Sequence, residues 1–378
     1  MTSKDIKKIK HLLLMRPSAM SDTAMLVPVV RALRHAYPSM RITIFTQEAF
    51  RPFFSDIEEI GFVDYIPKEH KGTEKIRRLV SEILELGIDG AADLQDSDVT
   101  VTIRKVLARC GVAVSVADKY PAGSKELTRR TRKHLVPLLP VTENYRRAIT
   151  ELGIDFELPA RVEKSVRPIP SDVIARAGVK HGKWIGVAPF ARHKGKIYPI
   201  PLADKLIEIL SKDYEHVFIL GKGEHEKSFA DGMEKRHEGV LSMVGRLDIS
   251  HEIDIIANLD AIVTVDSVVM HMASIVGTPA VSIWGSTHPY AGFYGYGQEP
   301  ANNIQLDMPC RPCSIGGEKK CIFGHYHCLT GIPPEMIADA VARITGGGGP
   351  EGTFIPEKAE NREKKKHKRG IINSRTNG

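Results

Sequence analysis

Apolar positions along this chain fall into short runs separated by longer stretches with a helical period, and the two kinds of segment alternate through most of its length. Residues 10–16 form the first apolar run, 22–37 carry a helix pattern, and RITIFT at 41–46 reads as a second strand. A helix pattern at 72–87 precedes AADLQ at 91–95, and VAVSVA at 112–117 is a further strand. The stretch from Leu158 to Lys183 is spotted with proline and breaks the rhythm. Alternation then resumes with WIGVAP at 184–189, a helix near 200–211, HVFILG at 216–221 and a strand or loop at 241–245. A helix over 249–258, AIVTV at 261–265, a mostly apolar helix, VSIWG at 281–285 and a last helix at 333–344 complete it. Strands that read as unbroken apolar runs between amphipathic helices predict parallel sheets covered on both faces.

The break divides the α/β pattern into a unit over 1–178 and a unit over 179–345, followed by a tail at 346–378. A chain of 378 residues has room for two cores. Composition is that of a globular protein, with 42% hydrophobic and 26% charged residues. No apolar run is long enough to span a bilayer, and the basic start MTSKDIKKIK lacks a secretory h-region. The expected location is therefore cytoplasmic, with peripheral membrane contact. Of the net charge of +7, residues 359–378 hold seven Lys or Arg against two Glu, so the tail reads as a solvated basic appendage or a lipid-surface contact. No aromatic residues interleave with that charge, which disfavours nucleic acid as a partner.

In open α/β sheets ligands bind beyond the carboxyl ends of the strands, so the residues there carry the functional reading. No GxGxxG follows the first strand, which removes the dinucleotide fingerprint. Asp22 stands at the start of the first helix, either as a capping carboxylate or as a base facing the cleft. The loop APFARHKGKIYP at 188–199 gathers Arg192, His193, Lys194 and Lys196, a setting for a diphosphate or else a solvated charge run. Asp266 and Ser267 open the helix after AIVTV, whose free N–H groups suit an anion, and His271 lies four positions beyond Ser267 on the same face. In GKGEHE at 221–226, Glu224 or Glu226 can accept from ribose hydroxyls. These signals agree on a phosphorylated nucleotide in the second unit.

The segments LLLMRPSAMSDTAMLVPVVRAL, IGVAPFARHKGKIYP and IVTVDSVVMHMASIVGTPAVSIWG, with the cysteine segment below, resemble the lipopolysaccharide heptosyltransferases of glycosyltransferase family 9 over about residues 10–345. The run STHPYAGFYGYGQ is similar to a Bacteroidetes-like branch. The resemblance implies a GT-B fold, two Rossmann-like domains facing across a cleft, with the acceptor side first and the nucleotide-sugar side second. It further implies metal-free, inverting transfer of L-glycero-D-manno-heptose from an ADP-heptose donor to a lipid A–Kdo-type acceptor in the lipopolysaccharide inner core. By residue it puts the general base on Asp22, the leaving-group cation on Lys194, the donor contacts on Asp266, Ser267 and His271, and the ribose contact on Glu224. Ser21 stands where many members have glycine, and Val268 and Val269 follow Ser267 where many have glycine. Thr100 replaces an arginine often found after the third strand, which leaves Lys119 and Arg130 as contacts for an anionic acceptor. Transfer of another nucleotide sugar to a surface glycan, or a non-catalytic binding role, are the competing readings.

Cys110 reads as a small buried residue on a helix. Cys310, Cys313, Cys321 and Cys328 have the close spacing of a structural zinc site, with His325 and His327 as substitute ligands. Free thiols, or thiols bridged opportunistically, are the second reading, because a reducing compartment disfavours disulfides, and a metal other than zinc is the third.

Overall fold

The computed structural model describes residues 9–70, 72–119 and 121–346. The N-terminal residues 1–8 and the basic tail after Gly346 lie outside the described residues. Two sheets form the frame, and every strand in both is parallel to its neighbours. The first contains β1 (His11–Met15), β2 (Arg41–Thr46), β3 (Ile60–Asp64), β4 (Gly90–Asp93) and β5 (Ala113–Val116), in the order β3-β2-β1-β4-β5. The second contains β6 (Trp184–Ala188), β7 (His216–Ile219), β8 (Val240–Ser242), β9 (Ala261–Val265), β10 (Ala280–Trp284) and β11 (Asn303–Gln305), in the order β11-β10-β9-β6-β7-β8. Each sheet therefore reverses its winding once, between β1 and β4 in the first and between β6 and β9 in the second. Those reversals open crevices at the strand ends.

The runs read as strands are β1, β2, β4, β5, β6, β7, β8, β9 and β10, all within a few residues of their expected bounds. β1, β6, β9 and β10 are buried along their whole length, which is why they carry no alternation. Several elements escaped the pattern, β11 and helix Val141–Thr150 among them. β3 is an edge strand that is only half buried, so its apolar period is weak. Residues 98–109, though rich in β-branched side chains, form the helix expected at Cys110, and Ser97 caps its start in a reciprocal pair with Thr100. The GKGEHE segment is a loop only as far as Gly223, and Glu224–Arg236 is a helix.

Helices Met20–Ala24 and Val268–Ile275 pack on each other across the two sheets, as do residues 48–54 and helix Ile249–Asn258. One continuous apolar core runs through that contact, from Leu12 and Leu26 of the first sheet's layer to Met272 and Ile256 of the second's. Arg31 reaches over to the Ile275 carbonyl, and Arg167 pairs with Asp254 at 3.0 Å. This is the two-domain GT-B architecture. Among the described residues, no helix is long and apolar enough to cross a membrane. Cys110 departs from its expected burial: it stands exposed just past helix Asp98–Arg109, on the solvent side of the turn.

Candidate functional site

At the reversal between β1 and β4 the chain leaves β1 at Arg16 and enters helix Met20–Ala24 with Asp22 in the first turn. Arg16 Nη2 pairs with Asp22 Oδ2 at 2.8 Å, while Nη1 donates to the Leu94 carbonyl beyond β4 at 2.8 Å. The guanidinium also stands 5.8 Å from the Tyr145 ring. Burial opposes its charge, yet Tyr145 and Asp22 together hold the Arg16 pKa above its ordinary value. The intervening loop is fixed by Gln95, whose amide accepts from Ser18 N and donates to Ser18 Oγ, both at 2.8 Å.

These residues wall a cavity of about 540 Å³. Asp22, Gln95 and Lys119 line it from the first half of the chain, and Phe293, Ile315 and Lys319 from the second. Lys119 Nζ donates to the Asp96 carbonyl at 3.0 Å. Arg130, the other expected acceptor contact, is exposed and is not part of the wall.

The second reversal, between β6 and β9, carries the basic loop and the Asp266 turn. Here the two lysines separate. Lys194 is exposed, with its ammonium 5.3 Å from the Tyr326 ring. Lys196, two residues on, points inward and pairs with Asp266 Oδ2 at 3.1 Å. Ser267 occupies the cap position of helix Val268–Ile275 without capping it, because its hydroxyl faces Thr264 Oγ1 at 3.3 Å. The first N–H groups of that helix thus keep their positive end uncapped by a side chain. His271 lies buried beneath, its pKa pushed down to about 3 by burial and then by the charge of Lys196, so it is neutral at ordinary pH.

Three buried polar atoms near this lysine have no hydrogen-bond partner among the described residues: His271 Nδ1, Ser286 Oγ and Thr287 Oγ1. Two glycines bring the surrounding loops together. A Cβ on Gly195 would sit 2.3 Å from Ser286 Oγ, and one on Gly317 would sit 2.5 Å from Lys196 Cδ. Buried polar groups are normally satisfied. A cation, an uncapped helix start and three unspent polar atoms form a setting that a compact oxyanion would complete.

Glu224 is exposed at the first position of its helix. Glu226 is turned back on its own loop, accepting from Lys222 N at 2.7 Å, and burial raises its pKa. Sequence patterning gave no reason to single out Glu252. It lies on helix Ile249–Asn258, where burial pushes it up to about 7 against the nearby Lys222 charge. Arg16, Gln95 and Lys319 were also passed over, since only the fold brings these strand and loop ends into one wall.

The four clustered cysteines are free thiols, and Cys310, Cys313 and Cys328 lie near Arg311. Its side chain is buried and donates to the carbonyls of Gly285, Leu306 and Thr287. Burial lowers Arg311 to about 10, with Cys328, Cys310 and Cys313 working in the opposite direction. Burial pushes the Cys328 thiol up to about 11. Burial also works to raise Cys321, but its pKa is lowered because the N–H groups of Tyr326, Phe323, Gly324 and His325 favour its thiolate. Among the described residues no group of three or more His, Cys, Asp or Glu side chains is arranged to hold a metal ion. Cys310, Cys313, Cys321 and Cys328 are thus not drawn into one four-thiolate set in this arrangement.

Glycosyltransferase family 9 (heptosyltransferase) matches residues 77–327 of this chain. Lipopolysaccharide heptosyltransferase 3 of Escherichia coli is 25% identical over 280 residues, covering 70% of this chain and 81% of that protein. Among solved structures, the family 9 glycosyltransferase of Veillonella parvula is similar with a TM-score of 0.65 at 16% identity, covering 92% of this chain and 99% of that one. The ADP-heptose lipopolysaccharide heptosyltransferase II of E. coli gives a TM-score of 0.63 at 18% identity, covering 89% of this chain and 98% of that one.

Proposed function

The chain belongs to glycosyltransferase family 9, the heptosyltransferases, and we propose that it transfers L-glycero-D-manno-heptose from an ADP-heptose donor to the lipopolysaccharide inner core, inverting the anomeric carbon. In this reading the acceptor occupies the cavity beside Asp22. Arg16 fixes one carboxylate oxygen and the other takes the proton of the acceptor hydroxyl. The freed oxygen attacks the anomeric carbon, the bond from that carbon to the β-phosphate oxygen breaks, and the electron pair leaves with ADP. Lys196 and the start of helix Val268–Ile275 answer the charge that develops on the diphosphate. Ser286, Thr287 and neutral His271 supply hydrogen bonds that the protein leaves unmade.

The observation that carries the proposal is the Lys196–Asp266 pair amid those unpartnered atoms, at the reversal of the second sheet. It also moves weight within the basic loop. The family resemblance put the leaving-group role on Lys194, whereas the pairing with Asp266 favours Lys196. Glu224 is positioned for the ribose only if the exposed loop closes over the donor. The cytoplasmic face of the inner membrane is the proposed location, since the donor is a soluble nucleotide sugar and the acceptor is lipid-borne.

Calorimetric titration with ADP, UDP, GDP and CMP tests the donor. ADP is expected to bind with clear preference. Preference for UDP or GDP would keep the transferase and remove ADP-heptose, a reading favoured by Val268 and Val269 at the helix start, where branched side chains restrict close approach of the sugar. Failure of all four would point to a chain that binds glycan without transferring sugar.

A further inference from the structure

The walls of the acceptor cavity continue outward into two loops of unusual surface. Residues 128–139 supply Thr128, Leu138 and Leu139 to the cavity, and residues 314–319 supply Ser314, Ile315, Glu318 and Lys319. The loops are fastened together. Lys133 Nζ donates to the carbonyls of Cys310 and Pro312, the first at 2.6 Å, and Leu138 N donates to the Tyr290 carbonyl at 2.8 Å. Leu127, Leu138 and Ala291 form a small apolar cluster that Ile315 and Phe293 join.

Beyond this fastening the loops end in largely exposed apolar side chains, with Phe323 stacked on the His325 ring at 5.6 Å. Ile322 and Phe323 are 58% and 61% exposed, and Leu135 and Val136 are 43% and 49% exposed. Next to them in the chain stand Arg129, Arg130, Arg132, Lys319 and Lys320, all exposed, with Glu318 the single acid beside either tip. Arg129 pairs with Glu126 at 3.4 Å; no acidic side chain is interleaved with the other cations in the tip sequences RRTRKHLV and KKCIF. A flat protein interface would be broader and less charged. Aliphatic and aromatic tips flanked in the chain by exposed Lys and Arg match the boundary between acyl chains and anionic headgroups, where the aromatic ring sits at the interface and the cations remain in water.

We propose that the tips at 129–136 and 319–323 dock this protein on an anionic phospholipid bilayer, placing the mouth of the Asp22 cavity at the headgroup layer. This rests on the reading that the cavity takes a lipid-borne acceptor. It explains why the cysteine-rich loop both walls the cavity and displays a phenylalanine: one element presents the membrane contact and the substrate site together. Arg311, donating to the carbonyls of Gly285, Leu306 and Thr287, holds the base of that element in place.

The test uses the full chain carrying Phe323→Trp. Trp184 and Trp284 are both fully buried, so the added indole dominates any spectral change at the surface. With vesicles containing phosphatidylglycerol and no glycolipid, its emission is expected to shift to the blue and to be quenched by brominated acyl chains, with neither effect on pure phosphatidylcholine. Ile322→Ser with Phe323→Ser is expected to weaken vesicle partition about tenfold while ADP binding and thermal unfolding stay unchanged. Sedimentation of the chain with vesicles without a spectral change would overturn the proposal, because attachment would then run through another part such as the basic tail. Equal response to neutral vesicles, or no vesicle binding, would overturn it too. None of these readouts requires sugar transfer, so loss of the heptosyltransferase reading and loss of the docking surface are separate results.

Discussion

Asp22 and Lys196 are the residues on which the proposed chemistry turns, and each stands apart from its alternatives by a measurable contact. Asp22 carries a buried guanidinium partner at 2.8 Å, a more elaborate setting than a helix cap needs. Asp22→Asn keeps the shape and removes the base, so kcat is expected to fall by about 10²–10⁴ with ADP affinity unchanged. Equal loss of ADP binding would mean that the carboxylate is structural. Lys196 and Lys194 are two residues apart, yet one is paired with Asp266 and the other lies exposed on Tyr326. Lys196→Ala is expected to cost about a hundredfold to a thousandfold in kcat/KM. Lys194→Ala is expected to cost less than about tenfold, the scale of an exposed charge. The reverse order would return the role to Lys194.

At the scale of elements, the donor site depends on loops that approach more closely than side chains allow. Gly195 lies against Ser286, and Gly285 lies against the Gly195 carbonyl, where a Cβ would stand 2.4 Å away. These contacts hold the basic loop after β6 to the end of β10, and so set where Lys196 meets Asp266. Gly195→Ala forces the loop outward. The expected result is weaker ADP binding, by about tenfold or more, with a lower melting temperature. Unchanged binding would show that Lys196 finds its place without that contact. The glycine was visible in the sequence as part of HKGK, but nothing there distinguishes a close approach from an ordinary turn. Ser286 lies ninety-one positions away in the chain, and only the pairing of β6, β9 and β10 brings the two together.

Across the whole molecule, buried titratable groups give stability a pH dependence whose sign is fixed by their direction. His271 and His288 are pushed down to about 3 and about 4, the first by burial and Lys196, the second by burial and Arg311, from an ordinary value of 6.5. The unfolded chain takes up those two protons near pH 6.5 while the folded chain does not, so stability falls as pH drops below that value. Glu252, pushed up to about 7 from 4.5 by burial, acts the other way between those pH values and offsets one histidine. Below about pH 4.5 the histidines act alone. The melting temperature is expected to decline from pH 6.5 to 4.5 and more steeply below. His288→Asn, which retains an acceptor for the Tyr290 N–H, should flatten the decline. The same histidines on an acid-insensitive melting curve would mean that water reaches them. As for what was legible, the sequence by itself determined the layered α/β class, most strand positions and the candidates at strand ends, because buried parallel strands and capped helices are written in local periodicity. It also placed Asp22, Asp266 and His271 at those ends. Which lysine meets Asp266, that Arg16 holds Asp22, that Arg130 and Glu224 face solvent and that Cys310, Cys313 and Cys328 lie near Arg311 was decided only by tertiary structure. Those are contacts between residues far apart in the chain or on opposite sides of one short loop, and their energies depend on distance and burial, which no local pattern records.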